Sequence, residues 1–103
     1  MKLNQKVYSL CKQIPKGKVS TYKEIGKALN TKAYRLIGQI LKNNPYAPLV
    51  PCHRVVSSSG KISGYKGKTK DKAIKEKIAL LKKEGIKVKN SKIENFPKVL
   101  YKF

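Results

Sequence analysis

The sequence has no tryptophan, one methionine, one histidine and two cysteines. One histidine and two cysteines cannot by themselves close a four-ligand structural zinc site, so no metal is expected. A single disulfide is the most the cysteines could form. With no secretory leader visible at Met1-Lys2-Leu3, a reduced, cytoplasmic chain is the expectation. Long apolar runs are missing as well. Ile78-Ala79-Leu80-Leu81 is bounded by lysines, so no segment is expected to span a bilayer and no membrane partner is foreseen. No internal repeat is visible. Acidic residues are the scarcest relative to their opposites. Five Asp and Glu face 25 Lys and Arg, which leaves a net charge of +20 at pH 7.

That surplus is almost entirely lysine, since only Arg35 and Arg54 are arginines. A field of this strength points to a polyanion such as DNA, RNA or an anionic surface. Disorder is the plain alternative for so charged a chain. The 40% apolar content, arranged with helical period, argues against it. At 103 residues the chain has room for one domain over 1–103 and one modest core.

Val7, Leu10, Cys11 and Ile14 fall at i, i+3, i+4 and i+7, one face of an opening helix that Pro15 and Gly17 end. Thr21 with Glu24 is a capping-box pattern. It predicts a second helix over about Tyr22 to Leu29, with Ile25, Ala28 and Leu29 inward. Asn30-Thr31 then turns into a third helix, roughly Lys32 to Asn43, whose apolar positions are Ala33, Leu36, Ile37, Ile40 and Leu41. Two short helices joined so tightly read as helix-turn-helix. Pro48 and Pro51 bracket an extended stretch at Leu49-Val50. Val55-Val56 and Ile62 flank Ser57-Ser58-Ser59-Gly60, which suggests a hairpin or wing. Ile74, Ile78 and Leu81 predict a fourth helix from about Lys70 to Glu84, closed by Gly85. The tail from Ile86 holds enough apolar residues to dock, in a form the sequence leaves open. The fold class expected is mainly α: a small helical domain with a winged helix-turn-helix-like motif and a short hairpin.

Pro51-Cys52-His53-Arg54-Val55 is the segment richest in chemistry. A thiolate is the reactive form of cysteine, and an adjacent imidazole or positive field favours it. Taken alone, the pair reads more readily as a small core residue beside an ordinary histidine. The surroundings change that. Ile14-Pro15-x-Gly17-x-Val19-x-Thr21-Tyr22, Arg35-x-x-Gly38, Asn44-Pro45, Pro51-Cys52-His53-Arg54-Val55-Val56, Gly60, Gly64-Tyr65-x-Gly67 and Leu80-Leu81-x-x-Glu84-Gly85 follow in order over nearly residues 5 to 85. In these strings the sequence resembles the C-terminal, DNA-binding and active-site domain of the O6-alkylguanine-DNA alkyltransferases, the methylated-DNA–protein-cysteine methyltransferases. The separate N-terminal domain of that family is expected to be absent.

The resemblance implies a DNA-repair reaction without a cofactor. Cys52 would accept the alkyl group from guanine O6 in double-stranded DNA and keep it, so each molecule acts once, as a monomer. His53 would serve as base through a water and Glu84 would orient it. Asn44 would brace the active-site turn, and Tyr22 would donate to the purine as its charge develops. The carbonyls of Cys52 and Val55 would accept from the exocyclic amine, Tyr65 would wall the pocket, and the backbone N–H of Lys66 would serve O6. Arg35 would fill the stack vacated by a flipped nucleotide. Tyr34, Gly38 and Thr21 would lie against the DNA, while Leu36 turns to the core. The interval from Tyr65 to Glu84 is longer than the family's by about one helical turn, and its lysines (Lys66, Lys68, Lys70, Lys72, Lys75 and Lys77) read as a solvated face or an extra phosphate grip.

Two other classes remain open on sequence. One is a lesion-binding module like the alkyltransferase-like proteins, which replace the acceptor cysteine; the presence of Cys52 speaks against it. The other is a lysine-rich architectural protein using only the helix-turn-helix, against which the pocket residues speak.

Overall fold

The computed structural model describes residues 2–46, 49–62 and 71–103. Helix α1, Leu3–Gln13, buries Val7 and Cys11, and Ile14 is fully buried at its C-cap. The stripe read from the sequence is therefore the core face. After Gly17, at φ +91°, a two-residue strand β1 (Ser20–Thr21) leads into α2, Tyr22–Ala28. Thr21 is the N-cap of α2, and its hydroxyl accepts from the Glu24 N–H at 3.0 Å. This satisfies one of the donors that a helix start leaves without an intrahelical partner. Asn30 closes α2 at φ +55°, with Asn30 N–H on Lys27 O and Thr31 N–H on Gly26 O, a Schellman ending built on asparagine.

The connection then runs longer than the sequence suggests. Helix α3 is Tyr34–Lys42, two residues later than expected, with Ala33 as its N-cap. Ile37 and Leu41 are buried, Ile40 is half-buried, and Leu36 is 44% exposed. Leu36 therefore does not turn to the core. Ala28, expected inward, is exposed. Both α1 and α2 pack against α3.

A single 3₁₀ turn, Cys52–Arg54, continues directly into β2, Val55–Val56. The expected hairpin across residues 55–62 does not form from these strands. β2 instead pairs in parallel with β1, with Ser20 opposite Val55 and Thr21 opposite Val56. Leu49 and Val50 lie in a turn and a bend, not an extended strand. The short hairpin of the fold sits in the tail. β3 (Val88–Lys89) and β4 (Lys92–Ile93) are joined by Asn90 and Ser91, both at positive φ, as a two-residue primed turn requires.

Helix α4, Asp71–Lys83, ends in a second Schellman pattern, with Gly85 N–H on Lys82 O and Ile86 N–H on Leu81 O. Helix α5, Phe96–Val99, then returns the chain to β1. Val19 bridges Leu100 in parallel, giving its N–H to Val99 O and its carbonyl to Tyr101 N–H. Ser20 Oγ also donates to Tyr101 O at 2.9 Å. β1 is thus flanked by β2 on one side and by the tail on the other. Val55 and Val56 face opposite ways, as strand geometry dictates, and each joins a different apolar cluster. The result is the mainly helical domain that was expected. Among the described residues, no helix is long and apolar enough to cross a membrane.

Candidate active site

The 3₁₀ turn places Cys52 and His53 in the interior, 7% and 2% exposed, against α4. Asn44 holds the approach to it. Its Nδ2 donates to Val50 O and its Oδ1 accepts from Tyr46 N–H, each at 2.9 Å, so one side chain ties the segment that enters Pro51. Tyr22, the first residue of α2, is half-buried and packs on the cluster that contains Cys52 and Val55.

Glu84 is the hub. It is the C-cap of α4, where a carboxylate works against the negative end of the helix dipole, so its partners must compensate. Arg54 gives Nε to Glu84 Oε1 at 2.9 Å and a terminal nitrogen to Oε2 at 2.6 Å, a two-pronged pair. The other prong of Arg54 donates to Ile14 O at 2.9 Å and ties the end of α1 to the same centre. His53 Nε2 lies 3.0 Å from Glu84 Oε2. Burial pushes the Glu84 carboxyl up, but the hydrogen bonds and charges of Arg54 and His53 outweigh it and hold it below its ordinary 4.5. An ionised carboxylate can only accept, so His53 carries its proton on Nε2. Its Nδ1 then presents a lone pair, and this atom is buried with no hydrogen-bond partner among the described residues. Burial lowers the affinity of His53 for a second proton below the usual 6.5. Glu84 acts in the opposite direction, while Arg54 and Lys77 add to the lowering.

Lys77 is the residue that sequence reasoning missed. Read as part of a charge run, it is 1% exposed, and its ammonium donates to Val55 O at 2.8 Å inside the protein. Its spacing of three from Ile74 and four from Leu81 on α4 was the available signal. Burial drives its pKa down to about 8, with Cys52 acting in the opposite direction. Lys77→Met should expose that cost. Between about pH 8 and 10.5 the unfolded lysine keeps a proton that the folded one has released, so native stability relative to the variant rises with pH. The full rise is about 3 kcal/mol, read from paired denaturant melts across that window. A difference that does not change with pH would contradict the burial.

Val55 O, expected to accept a substrate amine, therefore already holds Lys77, and Cys52 O already accepts from Val55 N–H. A carbonyl has two lone pairs, so one remains at each. Thr21 was expected against the DNA. It is 3% exposed, with its hydroxyl capping α2. Arg35 and Tyr34 are exposed on the first turn of α3, and Gly38 lies one turn further on. Tyr65 and Lys66, with Lys68 and Lys70, lie outside the described residues. The second cysteine, Cys11, is fully buried in the same cluster as Cys52. Burial pushes its pKa up to about 12, with Cys52 adding to the effect, which keeps it a thiol. Among the described residues no group of three or more His, Cys, Asp or Glu is placed to hold a metal.

Fold and site together define a small helical domain with a buried cysteine–histidine–glutamate–arginine centre beside a helix-turn-helix. A family model for the DNA-binding domain of 6-O-methylguanine DNA methyltransferase matches residues 2–86, and the chain belongs to that family. A methylated-DNA–protein-cysteine methyltransferase of Saccharolobus islandicus is 42% identical over 82 residues, covering 80% of this chain and 50% of that protein. The chain thus spans about half the length of the relatives of that name. Among solved structures, Schizosaccharomyces pombe Atl1 in complex with damaged DNA containing O6-carboxymethylguanine superposes with a TM-score of 0.83. It is 30% identical and covered in full on both sides. Mycobacterium tuberculosis OGT in complex with DNA gives a TM-score of 0.73 at 38% identity, over 82% of this chain and 50% of that one.

Proposed function

We propose that this chain repairs O6-alkylguanine in double-stranded DNA by moving the alkyl group to Cys52, once per molecule and without a cofactor, and that it carries the family's active-site domain. The observation that carries the reading is the orphaned Nδ1 of His53, buried one residue from a buried cysteine while Glu84 holds the other ring nitrogen. A cysteine, a neutral imidazole with a free lone pair and a carboxylate holding its other nitrogen are the groups that an activated nucleophile uses.

In the reaction, Cys52 Sγ attacks the alkyl carbon. The S–C bond forms as the C–O6 bond breaks, and the electron pair passes to the purine. The thiol proton goes to His53 Nδ1 through a bridging water. Tyr22 gives a hydrogen bond or its proton to the departing guanine. A thioether is not hydrolysed, so the protein is spent. Asn44 keeps the segment before Pro51 in place, and the free lone pairs of Cys52 O and Val55 O receive the guanine amine. Tyr65 and the Lys66 N–H complete the pocket. An O6 inside a duplex is out of reach of a buried thiol, so the nucleotide must rotate out, with Arg35 filling the gap. The +20 charge grips phosphates without reading sequence, as a repair protein needs.

A second reading is recognition of the lesion without transfer, favoured by the full-length match to Atl1. Intact mass after incubation with a methylated duplex separates the two. The proposal expects a single gain of one methyl group, mapped to Cys52 and not to Cys11. Tight binding with no gain, or a label on Cys11, overturns it.

A further inference from the structure

The first turns of α3 carry an apolar side chain that the fold does not use. A helix turns about 100° per residue, so Tyr34 and Leu36 flank the exposed Arg35 on opposite sides. They are not equivalent. The Tyr34 ring lies on Gly26, where an added Cβ would come within 2.5 Å of Tyr34 Cε1 and 2.7 Å of Thr31 O, so Tyr34 belongs to the wall of the turn between α2 and α3. Leu36 is 44% exposed, and Ile37 and Leu41 take the core side. Gly38 lies on the flank of Arg35 opposite Leu36, about 200° round the helix from Leu36. A Cβ there would meet nothing within 4 Å. A glycine inside a helix costs about 1 kcal/mol against alanine, and no packing among the described residues accounts for it. Open space before a bare backbone suits the close approach of an outside surface. Arg35, three residues earlier, lies on the same side. A chain of charge +20 selects a polyanion as that surface, and the two solved relatives named above were crystallised with DNA.

We propose that Leu36 is an apolar wedge that enters the base stack beside the flipped nucleotide, with Gly38 letting the α3 backbone close on the duplex. The inference rests on the reading of this chain as a duplex-DNA protein. Arg35 brings charge and hydrogen bonds to the vacated position. Leu36 brings hydrocarbon against the neighbouring pair, whose stacking partner has gone. Apolar side chains inserted between base steps from the minor groove unstack them partly and kink the duplex. Pyrimidine–purine steps open readily, whereas tightly stacked G·C neighbours resist. Leu36 therefore matters most where the lesion is flanked by G·C pairs, and it sets which contexts are repaired fastest.

Leu36→Ala tests this, since alanine favours the helix and the position is outside the core; melting curves confirm the fold. End-labelled duplexes carrying O6-methylguanine, in a TA-flanked or a G·C-flanked setting, report bending by energy transfer. The parent should bend both. The variant should bend them less and repair the G·C-flanked lesion about tenfold more slowly, with a smaller loss in the TA setting. Its reaction with free O6-benzylguanine should stay unchanged, and Leu36→Met should restore bending and rate. Unchanged bending, an equal loss in both contexts, or an equal loss on the free base would overturn the wedge. If the parent bends DNA in a Leu36-dependent way but gains no mass, the transfer reading fails and the wedge stands.

Discussion

Glu84→Ala should cost at least about 3 kcal/mol of stability and remove alkyl transfer, the largest loss expected from any single change in this protein. The size follows from what the carboxylate holds. Arg54 and Glu84 are 16% and 12% exposed, and removing one member of this largely enclosed pair leaves the other charged and unpaired. His53 loses the group that fixes its tautomer at the same stroke, and Ile14 O keeps an arginine no longer anchored from the other side. The difference should depend on pH with a definite sign. The folded-state value of Glu84 lies below 4.5, so the stability it contributes is present above that pH and is lost as pH falls through the lowered value. His53 acts in the same direction. Its proton affinity is lowered from 6.5, so the parent begins to lose stability once pH drops below 6.5, where the unfolded histidine charges first. The His53 loss is common to parent and variant, so urea melts of the two should converge only in the carboxylate range, where Glu84 takes up its proton. Parallel curves would show that Glu84 acts by packing alone.

His53→Gln should slow alkyl transfer by about 10²- to 10⁴-fold, the usual worth of a positioned base. The loss should be equal on duplex DNA and on free O6-benzylguanine, because the step affected is the one at sulfur. Duplex affinity should hardly move, as a buried neutral imidazole adds little to a field of twenty charges. The pH–rate profile of the parent supplies the control. With His53 held neutral by burial, its rate should stay level down to about pH 6.5 and decline only below. A variant as fast as the parent would mean that Cys52 owes its reactivity to other groups, with Lys77 the first to examine.

The contrast between His53 and Lys77 shows where sequence reasoning reaches and where it stops. Pro51-Cys52-His53-Arg54 carries its chemistry in adjacent residues, and the stripe of α1, the Thr21 cap and the Gly85 ending are local signals too. All are legible because sequence neighbours carry them. Lys77 is one lysine among many, and nothing in its type marks it as the one inside. The pairing of β1 with β2 joins two-residue segments thirty-five positions apart, Ser20 with Val55, too short and too distant to leave a periodic trace. Leu36 with Ile40 and Ile37 with Leu41 are overlapping i, i+4 pairs, so periodicity alone does not say which edge of the apolar stripe faces out, and Leu36 is the one left exposed. The tail hairpin is a different kind of miss. Asn90-Ser91 between Val88 and Ile93 is a turn signal of a local kind, which the sequence does carry.

The contact between Val19 and Leu100 also bears on how the molecule is made. A ribosome delivers the chain from its amino end, so α1, α2 and α3 can meet while synthesis continues. β1 cannot be flanked on both sides until residue 101 has emerged, because Val19 and Ser20 take their bonds from Val99 and Tyr101. Contacts this distant in sequence are the slow part of folding. Until they close, the strand that leads to Tyr22 has one open edge, and the apolar face meant for Ile93 and Phe96 is uncovered. Newly made copies are thus most exposed to sticking to one another in the interval between the emergence of Cys52 and that of residue 101.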